Sequence, residues 1–182
     1  MAPVAIVRIT QTYLPILFYY YHTKTGIHVK NIFSLKTVAI GLLVGTLDIT
    51  AACIQFYLKT GKGPEPVLRY VASGAFGKEA YTASNSMILW GLFFHYFIAM
   101  SFTFFFFWLA KTFPVVLKVK LLAALLYGIF MWIITQLVVV PLSQIPTRPI
   151  TASGALTAIS ILIVCIALPL VWFAGKQLSS KV

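Results

Sequence analysis

An all-α polytopic membrane protein, a four-transmembrane-helix bundle with a short interfacial helix in its first loop, is the fold predicted by three observations. The 182-residue chain is 60% hydrophobic and only 9% charged, whereas soluble domains carry charge on roughly 25% of their residues. Its apolar residues fall into four runs of about 20 residues, each able at ~1.5 Å per residue to cross a ~30 Å hydrocarbon core. Its basic residues sit in the short segments between those runs, which gives the net charge of +11 a membrane explanation. A protein oriented by the positive-inside rule and touching anionic headgroups at the cytoplasmic face carries such a charge, so nucleic acid is set aside as a partner.

Residues 1–34 form an uncertain, interfacial N-terminal segment. Its apolar stretches are broken by Arg8, Gln11 and Pro15, and Tyr19, Tyr20 and Tyr21 suit the headgroup region. Met1–His22 lacks a basic n-region leading into a clean apolar h-region, so no cleavable signal peptide is expected.

The transmembrane domain is expected over residues 35–175, with spans at about 38–57, 87–110, 119–142 and 155–174. The linker from Lys59 to Pro66 ends the first span with glycines and prolines and lacks the spacing of a phosphate loop. Pro66 suits the first turn of a short helix, Val67–Ala75, whose apolar face carries Leu68, Val71, Ala72 and Ala75 and which Gly74 and Gly77 stop. An interfacial helix over the bundle mouth is the simple reading, and a moving lid the alternative. Residues 82–86 supply N-cap types for the second span. In that span the run Phe104–Phe107 covers every face and reads as lipid-facing and packing surface. Pro141, Pro146 and Pro149, with Arg148, make a stiff third connection. Pro169 deprives the Cys165 carbonyl of its helical donor and bends the fourth span. Residues 176–182 are a short basic tail.

Orientation follows from the basic residues on alternate sides. Arg8, Lys24, Lys30, Lys36, Lys111, Lys118, Lys120, Lys176 and Lys181 fall on one side, against Lys59, Lys62, Arg69, Lys78 and Arg148 on the other. Both termini are therefore expected in the cytoplasm.

The first span carries one carboxylate, Asp48, on a stripe of small residues. Gly41, Gly45, Asp48 and Ala52 recur at steps of four, three and four and share one helix face, the pattern of a close helix contact. In the second span Gly91, His95 and Ala99 form a stripe at steps of four. Asp48 lies about 13.5 Å and His95 about 12 Å from the same membrane face. Consecutive helices joined by a modest loop pack as antiparallel neighbours, so Asp48 is expected to meet His95. A carboxylate beside an imidazole is polar glue in its plainest reading, and in its sharper one a place where a proton is held. Thr135, Gln136 and Ser160 are candidates to extend this polar cluster.

Catalysis is not expected. The chain has no G-x-S-x-G, no H-E-x-x-H and no intramembrane carboxylate pair, since Glu65 and Glu79 both lie in the first loop. Cys53 and Cys165 sit at different depths and give neither a disulfide framework nor a metal motif. No metal or cofactor is expected.

The pattern Gly41-Leu-Leu-Val-Gly45, then Gly91-x-x-x-His95 leading into a Phe-rich helix, a Lys111-x-Phe-Pro114 turn and a third helix ending in Val-Val-Val-Pro141-Leu resembles the YagU-like family of uncharacterised bacterial inner-membrane proteins. The resemblance covers roughly Leu35 to Gly175. It implies a small multi-helix inner-membrane protein with no assigned reaction, and marks Gly91 and His95 as family-type positions. Asp48 is not such a position, and histidines that the family would place in the last helix are absent. The functional expectation is a non-enzymatic protein of the bacterial inner membrane that moves a small solute or protons as a homo-oligomer. The alternative is a structural or accessory subunit that binds another membrane protein or lipid and transports nothing.

Overall fold

The computed structural model describes residues 32–146 and 149–179. The N-terminal segment, apart from residues 32–34, lies outside the described residues, as do Arg148 and Lys181 of the charge balance. Among the described residues four helices are long and apolar enough to cross a membrane: α1 (Leu35–Thr60), α4 (Ser86–Thr112), α5 (Lys120–Leu142) and α6 (Ala152–Leu178). Two short helices, α2 (Glu65–Phe76) and α3 (Glu79–Thr82), fill the first loop, and a 3₁₀ turn, Pro114–Leu117, follows α4. The described chain is an all-α membrane bundle.

α1, α4 and α6 run a few residues past their predicted ends, whereas α5 starts one residue later than predicted and ends at the predicted Leu142. Thr151 caps α6 by accepting from the Gly154 N–H at 3.2 Å, which starts that helix three residues early. Gly61 (φ +68°) and Gly77 (φ +58°) end α1 and α2 in the left-handed conformation that side chains disfavour. Gly74, expected as a stop, lies inside α2 instead. Asn85 is the N-cap residue of α4 but makes no side-chain cap, its amide oxygen instead facing Arg69 Nη2 at 3.4 Å.

Pro141 lies within α5 and not in the connection beyond it. Both prolines of the spans follow a π-helical stretch: Thr135–Val139 before Pro141 and Leu162–Ala167 before Pro169. A proline removes one N–H and crowds the carbonyl four residues back. Widening the preceding turn re-routes the hydrogen bonds, which lipid could not supply.

Cross-links at each end define the topology. Gln177 Nε2 donates to Thr37 Oγ1 at 3.2 Å, joining the end of α6 to the start of α1. At the opposite end Gln144 donates through Nε2 to the Ala75 carbonyl at 2.6 Å and through its backbone N–H to Gly74 at 3.0 Å. The first and third connections therefore share one face, and the second connection shares the other with the end of α6. α2 and α3 are tied to the start of α4 by Arg69. Its guanidinium donates to Glu65 at 2.7 Å and to the Ala80 and Ala83 carbonyls at 2.9 and 3.0 Å.

Lipid tails are as apolar as leucine, so close packing holds these helices together more than water exclusion does. α1 and α4 approach at Gly45, where an added Cβ would sit 3.1 Å from Tyr96 and 3.2 Å from Ala99. Thr46 and Tyr96 hydroxyls bond across the same seam at 2.8 Å. α5 meets α6 at Gly128, which presses on Ile163. α4 and α5 are bridged by aromatic side chains: Phe106 packs edge-on to Tyr127, whose hydroxyl donates to the Phe102 carbonyl at 2.6 Å. Phe106 and Phe107 are thus core, whereas Phe105 is partly exposed. With Val44, Thr103, Met131, Leu170 and Ala174, they fill the half of the bundle that lies away from α2.

Candidate functional site

The other half is hollow. A cavity of about 740 Å³ is lined by all four spans and roofed by α2. On α1 its wall runs from Asp48 to Thr60, about 18 Å of helix. It therefore reaches from mid-membrane to the face that carries α2, where Lys62 and Tyr81 stand at the rim. Asp48, Phe102, Trp132 and Ile166 lie at its deep end.

α1 brings Asp48 there because the stripe of small residues faces inward. The same step of three continues the stripe past Ala52 to Gln55, which also lines the cavity. Gln55 could have been found by carrying the spacing one turn further. Trp132, Thr135 and Gln136, at steps of three and four on α5, face the same space.

His95 and Asp48 share this cavity but form no ion pair. The pairing of Arg69 with Glu65 is the only ion pair among the described residues. His95 Nε2 instead lies 2.8 Å from the Gly45 carbonyl, one turn before Asp48. A carbonyl can only accept, so Nε2 carries the hydrogen and Nδ1 is left as an acceptor. Gly45 makes this possible: without a side chain there, α4 comes close enough for the ring to reach α1's backbone. Asp48 accepts no hydrogen bond among the described residues and lies within electrostatic range of His95 and of Cys165. Trp132 Nε1 is buried with no hydrogen-bond partner among the described residues.

The other expected positions separate. Ala52, Ala99, Thr135 and Gln136 line the cavity with Asp48 and His95. Gly41 packs against Met100 and Thr103 in the solid half. Gly91 was expected to share a contact face with His95 and Ala99, but its neighbour is α2: a Cβ there would run into the Leu68 carbonyl oxygen. Ser160 does not join the cluster, since it is exposed and its hydroxyl donates to the Leu156 carbonyl at 2.8 Å. Tyr70, Tyr81 and Trp132 were not expected at the site. Tyr70 and Tyr81 lie outside the spans, and nothing in local spacing folds their segment over the bundle.

Among the described residues no three His, Cys, Asp or Glu side chains are grouped to hold a metal ion. The arrangement is an apolar chamber with one carboxylate, one imidazole and a few amides and hydroxyls. Such a chamber can take up a small molecule. Comparison of the chain with protein-family models, curated proteins and solved structures returns no match. What stands on its own residues is a multi-pass integral membrane protein.

Proposed function

We propose that this protein is a non-enzymatic bacterial inner-membrane protein, of the YagU-like kind its sequence resembles, that moves a small solute or protons by way of Asp48 and His95. The observation that carries the reading is the cavity, which gives both residues a common space connected toward one face of the membrane. Residues that served only as glue would be expected in a packed seam like that around Gly41. The solid half of the bundle closes a single protomer, so passage across the whole membrane runs at a contact between protomers of a homo-oligomer. The termini lie in the cytoplasm and the cavity faces the opposite side, as the distribution of lysines favours.

One observation favours the rival, a structural or accessory subunit: the hydrogen bond from His95 to Gly45 holds α4 to α1. Proton flux into proteoliposomes under an imposed pH gradient separates the two. The proposal expects flux in the wild type that Asp48→Asn and His95→Ala both abolish while the protein stays folded. Absence of flux in all three, with only thermal stability lowered, favours the subunit.

A further inference from the structure

We propose that the chamber's solute is a lipophilic organic cation, a molecule with an apolar body around one positive charge. The inference deepens the proposed function and rests on it. Three features of the lining point to this chemistry. First, Asp48 is the single carboxylate of the described spans, and it stands at the deep end of the cavity with no hydrogen bond or ion pair to occupy it. A cation entering an apolar space loses its hydration and needs a counter-charge, which this carboxylate supplies. Second, Phe56, Tyr70, Phe102 and Trp132 also line the cavity, and aromatic faces attract cations through their quadrupole. Third, the remaining wall is mostly aliphatic, and about 740 Å³ lies in the range of chambers that enclose a drug-sized molecule. The sign of the charge follows from depth. Lys62 lies at the rim, beyond Thr60 and so more than about 18 Å of helix from Asp48, and an anion would meet the carboxylate at the floor with no cation beside it except a protonated His95.

Two probes of nearly the same shape and opposite charge test the sign: tetraphenylphosphonium and tetraphenylborate. Binding to the purified protein in detergent is measured by calorimetry and by quenching of tryptophan fluorescence, with Trp132→Phe identifying the signal from the chamber wall. Saturable binding of the phosphonium, about tenfold or more tighter than of the borate and lost to a similar degree in Asp48→Asn, is the expected result. Ala158→Phe, which fills the chamber and keeps the carboxylate, is expected to block binding as well and serves where Asp48→Asn does not fold. Equal binding of the two probes overturns the proposal, as does phosphonium binding unchanged in Asp48→Asn or Ala158→Phe. Proton flux that depends on Asp48 with no binding of either probe overturns the solute class and leaves the proposed function standing. Neither binding nor flux removes both.

Discussion

Replacing each of four glycines by alanine tests the packing that shapes the bundle, because the same methyl group meets four different neighbours. At Gly91 it would overlap the backbone carbonyl of Leu68, which cannot yield unless α2 moves off α4. Overpacking of a rigid contact costs about 1–3 kcal/mol, and a backbone neighbour belongs at the upper end. Alanine returns about 1 kcal/mol through its higher helix propensity. The net loss for Gly91→Ala is therefore about 2 kcal/mol, a fall in Tm of roughly 4–8 °C for a chain of this size. At Gly41 the nearest atom is Met100 Sδ at 2.5 Å, the end of a flexible side chain that can swing aside. Gly41→Ala is expected to change Tm little. Gly45→Ala should lose more, because the methyl meets Tyr96 and the fixed Ala99 Cβ at 3.1 and 3.2 Å in the seam that brings His95 to the Gly45 carbonyl, and Gly128→Ala, which meets Ile163 side chain and backbone together, should likewise fall between Gly41→Ala and Gly91→Ala. Thermal unfolding in detergent, followed by size-exclusion chromatography of the surviving fraction, gives the order. Gly91→Ala as stable as Gly41→Ala would refute the contact between α2 and α4 and with it the roof of the chamber.

Arg69→Ala leaves the Ala80 and Ala83 carbonyls without their donor and should cost about 2–3 kcal/mol in the same assay. Arg69→Lys should recover less than half, because one ammonium cannot span the fork's partners. Tyr127→Phe removes the bond to the Phe102 carbonyl and should cost about 0.5–1.5 kcal/mol, with the lower end typical of bilayer interiors. His95→Gln can still donate to Gly45 but cannot take up a proton. It should keep most of the stability that His95→Ala loses, about 1 kcal/mol, while showing no proton flux. Flux retained in His95→Gln would remove the histidine from proton handling.

Much of this fold is legible in the sequence because lipid imposes length and composition on a span. The stripe of Gly41, Gly45, Asp48 and Ala52 marks the inward face of α1, and Asp48 needs company there on electrostatic grounds alone. Spacing names a face but not the neighbour that meets it: Gly91 shares its spacing with His95 and Ala99 yet packs on α2. The hydrogen bond from His95 to Gly45 is equally hidden, since a glycine carbonyl carries no sequence signal. Pro141 and Pro169 announce a missing donor, but whether the helix stops, kinks or widens into a π turn depends on the helices around it. The chamber itself arises between the level where aromatic side chains bridge α4 to α5 and the cover that α2 provides, a consequence of three-dimensional fit and not of any local pattern. Arg69 counted as one of the loop's positive charges, yet its guanidinium is spent on α2, α3 and the start of α4.

The central claim is that the bundle is hollow toward the α2 face and solid toward the other. Cysteines placed singly at Gln136 and Ala52, on the chamber wall, and at Thr103 and Ala174, in the solid half, test it in a chain with Cys53→Ala and Cys165→Ala. Each is exposed in sealed, oriented vesicles to a small impermeant methanethiosulfonate from one side and then the other. Modification of positions 136 and 52 from the α2 side alone, with 103 and 174 unreactive from both, is the predicted result. Reaction of all four at similar rates, or of 136 and 52 from the opposite side, would contradict it.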